Sequence, residues 1–499
     1  MLSSAPKVDP PGYPLQEFER RLAALEAAIA ADPKQAHRLA FASSVEGRPT
    51  HQFYFDRFVK LVRRSVSDHA ALLELAVELR DGHRAEAHNY LTHGIHSYKG
   101  KYFPQIVRSL VNAAGLAPGS VVADPFVGSG TTTLEAALIG MRAVGLDRNP
   151  LAAVIARTKV DVLKLEVEAV RAGHAAIEGK LRRNYRADLP NRAYLERWFP
   201  KETIRVIERI VGAIANADAH PTFKDLARLS LSTHFRAWSL QEPTQLRIFR
   251  RSTAPPATAL LDRFKQQLSE YTASVVVGLR LLSELGVVLP PVDIRLADSR
   301  VSHAWGCSRG SVDAVVTSPP YATALPYIDT DRLSIFCLGL ADVGERSELE
   351  WEMIGTREIL KRQRNVLEDA LERNVTQLPQ PIIKQIRAIR AANKKTEVGF
   401  RRQNLPALLY RYFSDMQRVL ANTAAVLRKE GLCGIVIGDS YTVAGDNRVR
   451  IRTADFLEFL AEQAGLRRVD RIAMGGQTAY LPHQRNGIPA EDILLFTAP

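Results

Sequence analysis

The most informative segment of the chain is Asp124-Pro-Phe-Val-Gly128-Ser-Gly130-Thr-Thr-Thr133. It follows a short apolar strand, Ser120–Asp124, and leads into a predicted helix from Thr132 to Ile139. A second predicted strand, Arg142–Asp147, completes a strand–loop–helix–strand unit. The two glycines allow a sharp turn and close approach of a ligand, and the helix N-terminus favours negative groups there. The unit therefore predicts a ligand-binding loop at the edge of an α/β sheet.

The residues after this loop narrow the range of ligands. No lysine follows the glycines, which excludes the phosphate loop of nucleoside triphosphatases. Asp147 ends the second strand 17 residues after Gly130, near the spacing at which an acid reaches ribose hydroxyls. A plain β–α turn with a surface aspartate remains the alternative interpretation.

A second motif, Thr317-Ser-Pro-Pro-Tyr321, ends a predicted strand that begins at Val312. Strand carboxyl ends are where open α/β sheets bind ligands. Two consecutive prolines fix the backbone and withhold two N–H groups, so nearby carbonyls are free to accept hydrogen bonds. Together with the Ser318 hydroxyl and the Tyr321 ring, they could hold a planar base that carries an amino group. Alone, the motif could equally be a Pro-Pro turn.

Strands alternate with helices along much of the chain, which predicts a doubly wound, Rossmann-like α/β sheet with helical insertions. Further strands are expected at Asp293–Asp298, Leu432–Gly438, Leu466–Ala473 and Asp492–Thr497, with helices at 406–428 and 453–464. The predicted units are an N-terminal helical region (1–90), three parts of the core (91–162, 291–340 and 405–499), a helical insertion (163–290) and a basic helical insertion (341–404).

The two motifs together resemble the amino-methyltransferases of DNA, which modify cytosine N4 or adenine N6. The resemblance extends to His96–Gln105, to Gly145–Pro150 and to the strand end at Gly438–Ser440, and covers about half of the chain. It implies S-adenosylmethionine as cofactor and duplex DNA as substrate. It implies cofactor contacts at Asp124, Phe126, Gly128, Gly130, Thr131, Asp147 and Asp298, and catalytic roles for Ser318, Pro319, Pro320 and Tyr321.

The expected reaction is a direct transfer of the methyl group to a base that has been flipped out of the duplex. Serine rather than aspartate before Pro-Pro favours cytosine N4 over adenine N6, by family tendency. The glycine motif precedes the catalytic motif, whereas many cytosine-N4 enzymes have the reverse order. Cytosine-C5 chemistry is excluded because no proline precedes any of the three cysteines.

The charge of the chain agrees with a polyanionic partner. The 499 residues include 67 Lys and Arg against 54 Asp and Glu, a net charge of +13. The segment 357–402 carries 12 basic and 5 acidic residues, so its net charge is +7. Lys394, Lys395, Arg401 and Arg402 are the predicted DNA contacts, although a solvated helix face would look the same. A weaker candidate is the stretch 234–251, with His234, Arg236, Trp238, Arg247, Arg250 and Arg251.

Other features set limits on the function. Three dispersed cysteines, no secretory signal and no apolar run of membrane-spanning length predict a cytoplasmic protein without a membrane span. His83, His88, His93 and His96 lack the companions of a zinc site, so we expect no metal. Asp439 could face the cleft or simply cap the strand.

Three alternatives remain open: an adenine-N6 DNA enzyme, an RNA amino-methyltransferase and a catalytically silent DNA-binding partner of an active enzyme. The resemblance also implies a possible place in a restriction–modification system. The partner would then be a cognate restriction endonuclease or another defence-system protein.

Overall fold

The computed structural model describes residues 7–11, 14–51, 79–80, 83–84, 89–98, 100–183, 185–244, 248–322, 327–357, 359–394, 398–445, 447–474 and 491–499. Among these residues, no helix has the length and apolar character that a membrane crossing needs.

Within these ranges, seven strands form the central sheet. In chain order they are β1 (Val121–Asp124), β2 (Arg142–Asp147), β3 (Val292–Leu296), β4 (Val312–Thr317), β5 (Leu427–Gly438), β6 (Arg467–Ala473) and β7 (Glu491–Thr497). Their order across the sheet is β3-β2-β1-β4-β5-β7-β6. Strands β1 to β5 pair in parallel, and β7 is antiparallel to both β5 and β6. The predicted doubly wound, Rossmann-like sheet is therefore confirmed.

Helices occupy most of the remaining described chain. The longer ones are α1 (Glu17–Leu25), α2 (Pro104–Ala113), α3 (Thr131–Leu138), α4 (Pro150–Asp161), α5 (Val167–Leu181), α6 (Lys201–Asn216), α7 (Pro221–Trp238), α8 (Ala257–Glu284), α9 (Tyr327–Cys337), α10 (Lys361–Arg373), α11 (Gln380–Lys394), α12 (Phe400–Val426) and α13 (Thr453–Gln463). Shorter helical turns lie at Ala27–Ala30, Pro33–Arg38, Val162–Lys164, Arg192–Leu195, Ser302–Trp305, Val343–Glu345 and Arg346–Glu352.

The two faces of the sheet are covered by different helices, because side chains of a strand alternate between its faces. One face packs Val122, Ala314 and Val436 against α1, α2 and α3. The other packs Val315 and Ile435 against α11, α12 and α13. Helices α4 to α9 share a separate apolar core, in which α6 buries Ile207, Ile210 and Ile214.

The N-terminal region is less helical than predicted. Helix α1 lies in this region and buries Phe18 and Leu22. However, Ser44–Val45 pairs with both Val8–Asp9 and Arg48–Pro49 in a small sheet. The reason is the two-residue turn between the last two strands, where Glu46 and Gly47 both have positive φ, as a tight hairpin requires. Another pair joins Leu79–Arg80 to His83–Arg84, and residues 52–78 lie outside the described part.

Helix α12 begins six residues before the predicted start at Pro406. A proline inside a helix removes one N–H and leaves the carbonyl four residues earlier without its helical partner. Here that carbonyl belongs to Arg402, and it accepts a hydrogen bond from the Asn393 side chain of α11 at 2.8 Å. A tertiary contact therefore allows the helix to continue through Pro406.

Candidate active site

A cleft of about 600 Å³ opens at the carboxyl edge of the sheet, beside the point where the strand order reverses. It is lined by Tyr98, Gly100, Pro125, Phe126, Gly128, Asp147, Arg148, Ala297, Asp298, Ser299, Ser318, Pro320, Tyr327, Glu352, Met353 and Ile354. The cleft therefore brings together the glycine loop, the ends of β2 and β3, and the Ser-Pro-Pro-Tyr motif, which lie far apart in the sequence.

Asp147 lies at the end of β2 and faces this cleft. Its carboxylate accepts hydrogen bonds from the backbone N–H groups of Gly128, at 2.9 Å, and Asn149, at 2.8 Å. Burial raises the pKa of Asp147 to about 6, although both N–H groups favour the charged form. The side chain is thus held rigidly between the glycine loop and the start of α4.

Asp124 has a different environment, although its pKa is also raised to about 6 by burial. Its side chain is fully buried and accepts hydrogen bonds from the hydroxyls of Thr132, at 2.6 Å, and Thr317, at 2.5 Å, and from the N–H of Phe126. Asp124 does not line the cleft. It ties the glycine loop to the end of β4, so its contribution to the site is positioning.

The two glycines of the loop serve different purposes. At Gly128, φ is +50° and a Cβ atom would lie 3.2 Å from the Tyr98 ring at the cleft. At Gly130, φ is +85° and a Cβ atom would come within 2.9 Å of Ala156 in α4. Gly130 is therefore required for close packing of α3 against α4, and the ligand approach expected of it stays a prediction. Thr131, the first residue of α3, is buried behind the loop.

Asp298 lies at the cleft in an ionic network centred on Arg300. The Arg300 guanidinium contacts Asp298 at 2.8 Å and Asp415 of α12 at 3.0 Å, and it donates to the carbonyl of Glu352 at 2.8 Å. Burial opposes ionisation of Asp298, but the hydrogen bonds from Arg300 outweigh it and lower its pKa. Asp298 is therefore a fixed carboxylate whose orientation depends on helix α12.

One wall of the cleft was not anticipated. Glu352, Met353 and Ile354 line the cleft, although they fall in the segment predicted as a basic insertion. Glu352 forms an ion pair with Arg148, and the Arg411 guanidinium lies 3.8 Å above the neighbouring Trp351 ring. No local pattern marks these residues, because tertiary contacts alone bring the segment to the sheet edge. Tyr327 was likewise assigned no role, and Tyr98 entered only as part of the His96–Gln105 segment of the family resemblance.

The four residues of the Ser-Pro-Pro-Tyr motif have unequal access to the cleft. Ser318 and Pro320 line it, whereas Pro319 is buried. The Pro320 carbonyl accepts a hydrogen bond from Tyr412 at 2.8 Å. The Tyr321 hydroxyl hydrogen-bonds Glu491 of β7, and its ring does not line the cleft. The stacking role expected of Tyr321 stays a prediction.

The remaining sequence candidates lie elsewhere. Asp439 caps α13 through the N–H of Ala454, at 2.9 Å, and pairs with Arg450, so its side chain is committed to structure. Lys394, Arg401 and Arg402 are exposed, while Lys395 and Arg247 lie outside the described residues. His93 hydrogen-bonds buried Glu135, and the described residues contain no cluster that could hold a metal ion.

The chemistry of the cleft fits a nucleoside ligand with positive charge. Asp147, Asp298 and Glu352 supply three carboxylates, whereas Arg148 is paired with one of them. Phe126, Tyr327, Met353 and Ile354 add apolar surface suitable for a purine ring or a thioether chain.

Comparison with known proteins agrees with this geometry. Residues 97–189 match the family model of the RMKL-like methyltransferase domain. The chain is 22% identical over 274 residues to the type II methyltransferase M.BsoBI of Geobacillus stearothermophilus, covering 50% of this chain and 53% of that protein. It is 24% identical over 286 residues to the type II methyltransferase M.MvaI of Kocuria varians, covering 53% and 62%.

A shorter match connects the chain to an RNA enzyme. Over 50 residues it is 42% identical to the tRNA (guanine(10)-N2)-dimethyltransferase of Methanothermobacter thermautotrophicus, covering 10% of this chain and 15% of that protein. The chain thus spans about half the length of the two longer relatives and much less of the third. The part that matches the family model contains the glycine loop, β2 and Asp147.

Proposed function

We propose that this protein is an S-adenosylmethionine-dependent methyltransferase that acts on an exocyclic amino group of a base in duplex DNA. The observation that carries the proposal is a single cleft that joins Asp147 of the glycine-loop unit to Ser318 of the Ser-Pro-Pro-Tyr motif. Two long alignments with type II methyltransferases support methyl transfer as the reaction, without distinguishing the atom that receives the methyl group.

On the cofactor side, Asp147 would accept hydrogen bonds from the ribose hydroxyls, and Asp298 would lie beside the adenine ring. Phe126, Gly128 and the backbone around Thr131 would hold the methionine part, with Asp124 and Gly130 keeping the loop in shape. The cofactor supplies a sulfonium methyl group and a neutral leaving group. Asp147, which is held by backbone N–H groups and not by an arginine, suits the cofactor's positive charge, whereas Asp298 and Glu352 are already paired with Arg300 and Arg148.

On the substrate side, the lone pair of the amino nitrogen is delocalised into the base ring. This delocalisation must be reduced before the nitrogen can attack the methyl group. The Ser318 hydroxyl and the Pro319 carbonyl would accept its two hydrogens and direct the nitrogen lone pair at the methyl carbon. Ser318 and Pro319 would hold the nitrogen in line with the methyl group that the cofactor would supply, and the nitrogen would lose its surplus proton to water. Serine is too weak a base to act first, so alignment supplies much of the acceleration.

The base must leave the duplex to reach the cleft. Stacking on Tyr321 would recover about 1–3 kcal/mol of that cost. Lys394, Lys395, Arg401 and Arg402 would neutralise phosphates on the insertion side. We further propose cytosine N4 as the target, with adenine N6 as the alternative, and a restriction endonuclease or another defence-system partner as a candidate companion.

An RNA substrate is the second candidate, because the short alignment with a tRNA methyltransferase supports it. One assay separates these possibilities. Purified protein and isotopically labelled S-adenosylmethionine are incubated with unmethylated duplex DNA or with tRNA, and the nucleosides are analysed by mass spectrometry. We expect labelled N4-methyldeoxycytidine; N6-methyldeoxyadenosine alone would select adenine, and label only in RNA would reject the DNA proposal.

A further inference from the structure

A two-stranded ribbon follows the carboxyl end of β5, and only its first residue, Ser440, belongs to a sequence motif. Its strands, Ser440–Ala444 and Asn447–Ile451, pair antiparallel with Tyr441 opposite Arg450 and Val443 opposite Arg448. Because strand side chains alternate, these four side chains share one face, which we call the Tyr441 face. It is open to solvent: Tyr441 is 36% exposed, Val443 41% and the Arg450 side chain 54%.

The opposite face of the ribbon anchors it to the protein. Ala444 and Ile451 are buried in the core that covers one side of the sheet. The Gln385 side chain of α11 donates to the carbonyl of Arg450 at 3.0 Å, and Gly445 donates to Asn393 of α11 at 3.3 Å. The ribbon is therefore a supported platform and not a free hairpin.

The Tyr441 face combines positive charge with an aromatic ring. The Arg448 guanidinium lies 4.3 Å above the Tyr441 ring, and no carboxylate among the described residues pairs with it. Arg450 is paired with the buried carboxylate of Asp439, which fixes its position. The segment 440–452 contains three arginines and one aspartate, so it is basic overall. Such a surface favours a polyanion over an apolar protein partner.

The ribbon also lies on the side of the sheet where the parallel strands have their carboxyl ends, which is the side that carries the Ser-Pro-Pro-Tyr motif. Ile435 of β5 pairs with Thr317 of β4. Ser440 is five residues beyond that pair and Ser318 one residue beyond it, so the ribbon begins about 13 Å further along the strand direction. Helix α11, which supports the ribbon, also carries exposed Lys384 and Lys394.

We propose that the Tyr441 face is a docking surface for duplex DNA, contacting its phosphates and one groove beside the site where the base is flipped. The proposal rests on the proposed function. The width of the major groove admits a two-stranded ribbon, and arginine is well suited to phosphate and guanine. From its position about 13 Å beyond Ser318 along the strand direction, the ribbon would fix the register of the duplex while the target base enters the cleft.

The test uses Arg448→Ala, Tyr441→Ala and the double variant of the full chain. Both side chains are exposed, so the fold should survive; cofactor affinity and the thermal midpoint verify this for each variant. Arg450 is left intact because its removal would leave the buried Asp439 carboxylate without its ion-pair partner. The matched control is Lys429→Ala, which removes one exposed charge at the opposite end of β5.

Binding is measured by fluorescence anisotropy on a labelled duplex of about 30 base pairs over salt concentrations of about 50 to 200 mM. Arg448→Ala should weaken binding by about three- to tenfold and lower the salt slope by about one, and the double variant should weaken it further. Lys429→Ala should leave both quantities unchanged.

The outcomes separate the two proposals. If the wild type methylates DNA but Arg448→Ala and the double variant bind it as the wild type does, the docking surface is wrong and the function stands. If Lys429→Ala weakened DNA binding as much as Arg448→Ala does, the loss would reflect the overall charge of the protein. The proposed docking surface would then be wrong. Label transfer to RNA alone would overturn both proposals.

Discussion

Asp124 and Asp147 show how burial of the same side chain can serve two purposes. Both have a pKa of about 6 because burial disfavours the charged form. Asp124 uses its oxygens on Thr132, Thr317 and a backbone N–H, so little remains for a ligand. Asp147 uses backbone N–H groups and still lines the cleft, so it can take ligand hydroxyls.

The raised pKa of Asp147 predicts a pH dependence for cofactor affinity. Ribose hydroxyls and a cationic cofactor favour the carboxylate, which is present above about pH 6 and becomes protonated as the pH falls below it. Affinity should therefore fall below pH 6, by at most about tenfold per pH unit. Asp147→Asn should weaken binding at pH 8 by about tenfold or more and flatten the profile.

Isothermal titration calorimetry with S-adenosylmethionine between pH 5 and 8 measures both effects. Asp161→Asn, a surface carboxylate paired with Lys164, is the matched control. An Asp147→Asn variant with wild-type affinity at every pH would contradict the assignment.

Ser318 is predicted to act on turnover and not on DNA affinity. Ser318→Ala removes the hydroxyl that would orient the amine, so kcat should fall by about a hundredfold, in the range of other positioned hydrogen-bond groups. Duplex affinity should remain within about twofold, because phosphate contacts dominate it. Single-turnover methylation and anisotropy measure the two quantities, with Ser252→Ala as an exposed serine control. A methylation rate near that of the wild type would reject the role of Ser318.

Among the secondary-structure elements, the segment Trp351–Ile354 connects the basic insertion to the cleft. Trp351 packs with Ile359, with Leu367 of α10 and with Leu408 of α12 in one small apolar cluster. The chain that continues into α10 and α11 therefore begins as a wall of the cleft. The insertion is therefore structurally attached to the cleft.

Helix α11 and the start of α12 provide a test of the predicted docking residues. Replacing Lys394, Lys395, Arg401 and Arg402 with Ala should weaken duplex binding and lower the salt slope by up to about four units, one for each phosphate that is no longer neutralised. Cofactor affinity should not change, because the described members of the set lie outside the cleft.

Anisotropy at several salt concentrations measures the slope. A matched control removes four other exposed charges: Arg182, Arg183, Lys201 and Lys429. If the test variant and the wild type had the same DNA affinity and the same salt slope, the segment would not contact DNA. It would then be only a solvated helix face. The stretch 234–251 would then be the next candidate.

Across the molecule, Asp124 connects three elements of the core. It joins the end of β1 to α3 through Thr132 and to the end of β4 through Thr317. Asp124→Ala leaves these buried donors without an acceptor, which should cost about 2–5 kcal/mol in free energy of unfolding.

Chemical denaturation followed by circular dichroism measures this destabilisation. Asp225→Ala, which removes a surface ion pair with Arg228, should cost less than about 1 kcal/mol. If both variants unfolded at the same denaturant concentration, Asp124 would not hold the loop to the sheet.

Much of the architecture could be predicted from sequence because local chemistry dictates it. The strand at Arg142–Asp147 was predicted with the observed bounds, and the others were within a few residues at most ends. Alternating apolar residues and glycine turns depend on neighbours within one element. They can therefore be recognised in the sequence of this chain alone. Asp147 was identified for the same reason, since its distance from Gly130 is fixed by one strand–loop–helix–strand unit.

Contacts between distant segments decide which side chains share the cleft. The Trp351–Ile354 wall, the Arg300 network and the capping role of Asp439 all depend on such contacts. The start of α12 depends on Asn393, and the separate role of Gly130 depends on Ala156. Elements and motifs are encoded locally, because they follow from backbone and side-chain preferences over a few residues. Which residues face a ligand depends on the packing of elements, because burial and hydrogen bonding are properties of neighbours in space.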